Sequence, residues 1–308
     1  MIKSELEKFK NLQEHFKNDY PDLYQEIDEH GFILSKDSDQ IDLLITGLTH
    51  GDEVIGLEII NLILNYIMLH KKLHFRVGFL LNNLEAYHQN QRYIESDLNR
   101  SFFVDQIQTL EHKRAKNIQD IISKLKVKLI IDLHQTSEPT TNSFAVIPEI
   151  PELIRFADQI APNKPIVCFD LNGFSREGKT LMEFTQNMGV NSLVYEIGQK
   201  GFNEVLANEY KTYLLRLLNE GVFEPEKSTK KLSYLLINQI IPNQNGYALM
   251  PDLKSLDQVA KNQVLAQNSH TNSEYLSPID GYIIFPRYKN IRDAETNIGF
   301  LATQKGLN

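Results

Sequence analysis

The chemistry on offer in this sequence centres on residues that follow short apolar runs. His50 and Glu53 stand three residues apart in Gly47-Leu-Thr-His-Gly-Asp-Glu, directly after Ile41–Thr46; His134 follows Val127–Leu133; Glu196 lies in Ser192-Leu-Val-Tyr-Glu-Ile. Three-residue spacing where a loop enters a helix lets the first two side chains face one point. Two imidazoles and a carboxylate are a donor set of catalytic zinc, which keeps one position open for water. The bland alternative is two capping or core histidines and a first-turn glutamate favoured by the helix dipole. A single His-x-x-Glu pair is about what chance delivers in a chain with 9 histidines, so position at strand ends carries the weight, not spacing.

Glu196 sits inside an apolar run, where an unpaired carboxylate is costly. It therefore needs either a structural partner or a task, and burial would raise its pKa toward the range of a general base. Asp132 precedes His134 by two residues, which puts both on one strand face. There it either orients the imidazole or caps the following loop. Arg92, Asn99 and Arg100 lie in a polar stretch without apolar period. They read as a solvated surface or, if they converge near a metal, as a bidentate clamp for a carboxylate and a polariser of a carbonyl.

Positioning these groups requires a sheet. Ile41–Thr46, Phe75–Leu81, Val127–Leu133, Pro165–Leu171 and Ser192–Ile197 are short, apolar and rich in β-branched residues, and helical patterns or long loops separate them. That is the pattern of an α/β fold, a mostly parallel sheet flanked by helices. Ligands bind such sheets beyond the carboxyl ends of the strands, where the polar residues lie. Residues 1–30 carry Phe9, Leu12, Phe16, Tyr20 and Leu23 at helical spacing and predict a covering helix. The charged segment 220–231 predicts a linker, which divides the chain into a catalytic domain, 1–225, and a small C-terminal β domain, 226–308, capping the site. Short strand candidates with turn residues between them mark the second domain.

Composition narrows the function. The 308 residues carry a net charge of −8, which argues against a nucleic-acid partner. The one cysteine, Cys168, excludes an intrachain disulfide and a thiolate cluster, so any metal must rest on His, Asp or Glu. It lies in an apolar run and reads as core. Val54–Leu69 is interrupted by Glu58, Asn61 and Asn65 and falls short of the ~20 apolar residues a bilayer needs, so no membrane association is expected. The charged N-terminal segment predicts a cytoplasmic location. A homo-oligomer is compatible with the sequence, which does not specify one.

The strings THGDE (49–53), QRYIESDLNRSF (91–102), DLHQT (132–136) and YEIG (195–198) occur in an order that resembles the succinylglutamate desuccinylase/aspartoacylase family, a branch of the zinc carboxypeptidase (M14) superfamily. The resemblance covers residues 46–201, and Ser277-Pro-Ile-Asp-Gly with the strand after it matches the family's last sheet more loosely. It implies a zinc-carboxypeptidase-like fold and one Zn2+ held by His50, Glu53 and His134. Glu196 would be the general base, Arg92 the group that polarises the scissile carbonyl, and Asn99 and Arg100 the holders of the substrate carboxylate. Aspartoacylases carry a further arginine shortly before the catalytic glutamate; here the nearest is Arg176, 20 residues upstream in Asn-Gly-Phe-Ser-Arg-Glu-Gly-Lys. A C-terminal tyrosine that some members place in the site would be Tyr288 or Tyr282. The implied activity is zinc-dependent deacylation of an N-acyl amino acid or a similar small carboxylate-bearing amide, with metal-held water as nucleophile. A peptide-cutting metallocarboxypeptidase and a non-catalytic metal- or carboxylate-binding protein are the competing readings.

Overall fold

In the computed structural model, described over residues 2–35, 40–70, 76–103, 105–170, 180–221, 230–243, 247–288 and 297–307, the apolar runs become strands of one large sheet. In chain order the elements are α1 (Ile2–Asp19), β1 (Tyr24–Asp28), β2 (Gly31–Leu34), β3 (Ile41–Gly47), α2 (Ile55–His70), β4 (Val77–Leu81), α3 (Leu84–His88), α4 (Leu110–Leu125), β5 (Val127–Thr136), β6 (Phe144–Pro148), α5 (Pro151–Ile160) and β7 (Ile166–Phe169). There follow α6 (Leu181–Asn187), β8 (Asn191–Gln199), α7 (Glu204–Glu220), β9 (Leu232–Pro242), β10 (Tyr247–Leu249), β11 (Gln258–Val259), β12 (Val264–Asn268), β13 (Glu274–Leu276), β14 (Gly281–Ile284) and β15 (Asn297–Leu307). The large sheet runs β1-β2-β4-β3-β5-β8-β6-β7-β9-β15-β14-β11, and β10-β12-β13 form a small second sheet.

The α/β class is as the sequence indicates, with a mixed rather than uniformly parallel sheet. β4, β3, β5 and β8 are mutually parallel, and β6 enters antiparallel to β8. Alternation explains the layers. In β3, Leu43 and Ile45 join a core with α1, α2, α5 and α7 on one face, whereas Leu44 joins α4 and α6 on the other. Every residue of β3 is buried. Each fully buried aliphatic side chain contributes roughly 1.5–3 kcal/mol.

One sequence expectation needs correction. The N-terminal helix ends at Asp19, not near residue 30, and Tyr24–Asp28 pairs antiparallel with β2. The reason is tertiary: β2 would otherwise be the sheet's edge, and the spacing of Tyr20 and Leu23 cannot distinguish a helix from the turn that leads into that pairing. The cover itself is real, since Leu6, Phe9, Leu12 and Phe16 are buried in the core shared with α2. The run Phe144–Pro148, which the sequence reading passed over, is a fully buried strand. β9 pairs parallel with β7 and carries β15 along its other edge, so strands from before and after the expected boundary share one sheet. The charged linker lies largely outside the described residues.

The C-terminal segment also touches the loop that follows β5. Ser255 bridges Thr140, accepting from the Thr141 N–H at 3.1 Å and donating its own N–H to the Pro139 carbonyl at 3.0 Å. Among the described residues no helix is long and apolar enough to cross a membrane.

Candidate active site

Three strand ends meet at one rim. After β3 the chain makes a tight turn, His50-Gly-Asp-Glu53, closed by the Glu53 N–H donating to the His50 carbonyl at 3.1 Å. Gly51 is required there, since a Cβ would stand 2.2 Å from the backbone nitrogen of Tyr87. The turn brings His50 Nδ1 to 2.7 Å from Glu53 Oε1. From β5, His134 Nδ1 lies 2.9 Å from Glu53 Oε2. His50, Glu53 and His134 are all buried, and a donor atom from each lies within 4.8 Å of the others. Glu53 precedes α2 by two residues, so it belongs to the turn and not to the helix's first turn.

The two imidazoles are held alike. His50 Nε2 lies 3.1 Å from Asp97 Oδ1, and His134 Nε2 lies 2.7 Å from Asp132 Oδ2. Asp132 is fixed in turn by the hydroxyls of Thr46 at 2.7 Å and Thr49 at 3.0 Å, and Asn82 donates to Thr49 Oγ1. Each Nε2 is set against a carboxylate and each Nδ1 faces Glu53, and a deprotonated Nδ1 in that position would offer its lone pair to a cation. His50 Nδ1 lies close to Glu53 Oε1 and is buried without a partner of good hydrogen-bond geometry. That is the geometry of two ligands aimed at a shared third point, and the residues fit a divalent cation. The charges agree: Glu53, Asp97, Asp132 and Glu196 converge on a buried rim where Arg92 is the nearest fixed cation.

Electrostatics follow from that crowding. Burial pushes the His134 imidazole down, but Asp132 and Glu53 outweigh it and hold its pKa well above the usual value. Burial also lowers His50, and Glu53 and Asp97 again reverse the sign. Burial raises Glu53, yet the two histidines drive it well below the ordinary carboxylate range. Glu196 differs. It sits opposite His134 in the parallel register and opposite Phe144 on its other side, and Oε2 is buried without a hydrogen-bond partner. Burial and then Glu53 overcome the pull of His134 and push its pKa up to about 7.

Arg92 donates from Nη1 to Glu53 Oε1 at 2.9 Å and from Nη2 to Asp97 Oδ2 at 3.4 Å, so it lies against the same carboxylates as the histidines. Asn99 is tied to two elements: its N–H donates to Asp97 Oδ1, and its Oδ1 accepts from the Leu181 N–H at the head of α6. Arg100 is exposed and donates to the Asn99 carbonyl at 2.7 Å. Tyr288 donates its hydroxyl to the carbonyls of Leu253 at 2.7 Å and Met250 at 3.1 Å, within the C-terminal strands. The Tyr282 hydroxyl accepts from Gln258. Arg176 lies outside the described residues.

A match to the model of the succinylglutamate desuccinylase/aspartoacylase catalytic domain extends over residues 39–220. The chain belongs to this family. Among curated relatives, a probable aspartoacylase of Nostoc sp. is 25% identical over 185 residues, covering 57% of this chain and 62% of that protein. This chain thus spans about three fifths of that relative's length. Two solved structures share the fold: succinylglutamate desuccinylase of Vibrio parahaemolyticus, TM-score 0.73 at 18% identity over 89% of this chain and 86% of that one, and murine aminoacylase 3, TM-score 0.66 at 16% identity over 88% and 97%. Within the family's catalytic span fall His50, Glu53, Arg92, Asn99, Arg100, His134 and Glu196.

Sequence reasoning passed over two supporting residues. Asp97 was visible only as one polar residue in a loop, yet it bridges His50 and Arg92. Gln135 is a buried amide whose Oε1 accepts from the Ile55 N–H while Nε2 donates to the Gln199 and Gly201 carbonyls; its backbone N–H donates to Glu53 Oε2. A polar side chain inside the β5 run, where solvation is impossible, was the available signal.

Proposed function

We propose that this protein is a zinc-dependent amidohydrolase that removes the acyl group from an N-acyl amino acid or a similar small carboxylate-bearing amide. His50, Glu53 and His134 would hold the ion. When bound, the ion lowers the pKa of a coordinated water to about 7 and polarises the scissile carbonyl.

The chain's own residues divide the remaining work. Glu196, with a pKa near neutrality in a buried position, accepts a proton from the attacking water and returns it to the departing amine. Arg92 keeps its positive charge: burial disfavours it, but Asp97 and Glu53 hold its pKa above the ordinary arginine value. It donates to the oxygen that gains negative charge during attack. Asn99 and Arg100 take the substrate carboxylate and set near-attack geometry. Arg176 and Tyr288 are further proposed substrate contacts, both by sequence resemblance alone, and the Tyr288 hydroxyl would have to leave the Leu253 and Met250 carbonyls to serve. The strands from β9 onward, through Ser255 on the loop after β5, would limit the site to small substrates.

The observation that carries this reading is the matched pair of imidazoles. Each has Nδ1 toward Glu53 and Nε2 on a separate carboxylate, and one Nδ1 is left without a hydrogen bond. The test is metal content of freshly purified protein together with hydrolysis of N-acetyl, N-formyl and N-succinyl amino acids against short peptides. One zinc per chain is expected, with turnover of an acylated amino acid, loss on chelation and recovery on zinc addition. Absence of stoichiometric metal, with activity indifferent to chelation, would sink the reading; preference for peptides would redirect it to a carboxypeptidase.

A further inference from the structure

We propose that Glu111 is a positioning residue for the substrate-binding loop: its carboxylate is a built-in anion around which residues 94–96 fold, and it thereby sets where Arg92, Asp97, Asn99 and Arg100 stand. The inference rests on the deacylase reading for its kinetic consequence and on geometry alone for its structural one.

Glu111 lies in the first turn of α4 and is 1% exposed. Its Oε1 accepts from the Ile94 N–H at 2.7 Å and, more weakly, from Asn83 Nδ2 at 3.4 Å. Its Oε2 accepts from the N–H groups of Glu95 at 3.2 Å and Ser96 at 3.1 Å. Three successive backbone amides turned to one point form an anion-binding nest, and here the occupant is a side chain of the same molecule. The clasp is reciprocal. Glu95 Oε2 accepts from the Leu110 N–H at 2.6 Å, one of the unpaired donors at the head of α4, and Ser96 Oγ lies 2.7 Å from the hydroxyl of the N-cap residue Thr109.

The segment so held lies between the functional groups. Arg92 precedes it by two residues, and Asp97, which touches both His50 and Arg92, follows it directly. Asn99 hangs from Asp97 through its N–H. The loop lacks a regular ladder to fix its course, so the anion supplies what a strand partner would supply elsewhere. The proposed metal ligands stand on the turn after β3 and on the end of β5, and the loop reaches them through Asp97 on His50 and Arg92 on Glu53. Disturbing Glu111 therefore falls on substrate placement before it falls on the metal.

The experiment compares Glu111→Gln and Glu111→Asp with the parent enzyme loaded with zinc, on the N-acetyl amino acid the parent turns over best. Glutamine has one acceptor oxygen and places an NH2 against an N–H. The expected result is kcat/KM lower by about 10–100-fold, mostly through KM, with zinc content unchanged. Aspartate, which keeps both oxygens and the charge on a shorter stem, recovers part of that loss. Hydrogen exchange at Ile94, Glu95 and Ser96 should lose protection in Glu111→Gln. The proposal is overturned if kcat/KM per zinc-loaded molecule stays within about two-fold of the parent, if lost activity merely tracks lost folded protein at unchanged KM, or if protection at the three amides is unchanged. Should Glu111→Gln not fold, the aspartate variant is judged by the same criteria. A parent that hydrolyses no N-acyl amino acid removes the deacylase reading, and the exchange measurement then decides the role of Glu111 alone.

Discussion

The rim formed by β3, β5 and β8 and the extension from β9 to β15 belong to one sheet but treat polar groups in opposite ways. All of β3 and all of β5 except Lys128 are buried, whereas Leu232–Pro242 of β9 passes between buried and exposed positions. In the extension a polar residue faces water, as in the exposed contact of Asn238 with Thr303. At the rim His50, Glu53, Asp132 and His134 are buried, so their polar atoms need partners inside the protein. Thr46, Thr49, Asp132, His134 and Glu53 form an unbroken chain of such partners. His50 Nδ1 and Glu196 Oε2 are without a hydrogen-bond partner there, as is Asn82 Oδ1 beside Thr49. In the proposed function the first faces the ion and the second takes the proton.

Glu53 and Glu58 repeat the lesson within five residues. Both are buried. Glu53 is surrounded by imidazoles and held far below the ordinary range, while Glu58 is pushed up to about 7 by burial and then by Glu5, with the Asn203 N–H pulling back. Burial is common to both; only the partner decides which way the proton goes.

The sharpest way to break the comparison is Glu196→Gln, which removes the proton acceptor and keeps the shape. Turnover should fall by about 10²–10⁴-fold, in the range of general-base losses, with zinc still bound. Unchanged turnover would demote the unpartnered Oε2 to a packing accident. Next, Leu44→Ala in the covered region should cost about 2–5 kcal/mol, whereas Ile240→Ala on the half-open β9 should stay within about 0.5 kcal/mol, as read by chemical denaturation. Equal losses would erase the distinction between the two regions. Asp132→Asn keeps a hydrogen-bond acceptor for His134 but removes its charge, and metal affinity should weaken about 10–100-fold in a competition titration against a chelator. The smallest effect concerns Glu58. Its folded pKa lies above the ordinary carboxylate value, so its stabilising contribution is full below about pH 4.5 and is lost as pH rises through about 7. Glu58→Gln should match the parent at low pH and exceed it at pH 8 by about 1 kcal/mol, after allowance for solvent screening. A gap that widened toward acid would reverse the assignment.

Much of the candidate site could be read along the chain because its residues follow apolar runs whose type and length identify strands, and parallel strands deliver their ends to one rim. His50, Glu53, His134 and Glu196 are all such neighbours, and Asp132 followed from the two-residue period of β5. Asp97 and Glu111 were hidden for a shared reason. Asp97 stands in no periodic segment, Glu111 opens α4 where the helical period says nothing of a distant loop, and their partners His50 and Ile94 lie 47 and 17 positions away. The strand Tyr24–Asp28 was hidden because pairing with β2, not its own pattern, makes it a strand.

Residue order alone determined the layers, the donor types and their place at strand ends, since these follow from local period and from which side chains can hold a proton or an ion. Only the folded chain decided which nitrogen of each histidine faces Glu53, that one loop curls around Glu111, and that the C-terminal strands continue the same sheet. Those outcomes depend on angles and contacts between distant segments, and a local sequence pattern carries no information about the direction from which a distant partner arrives.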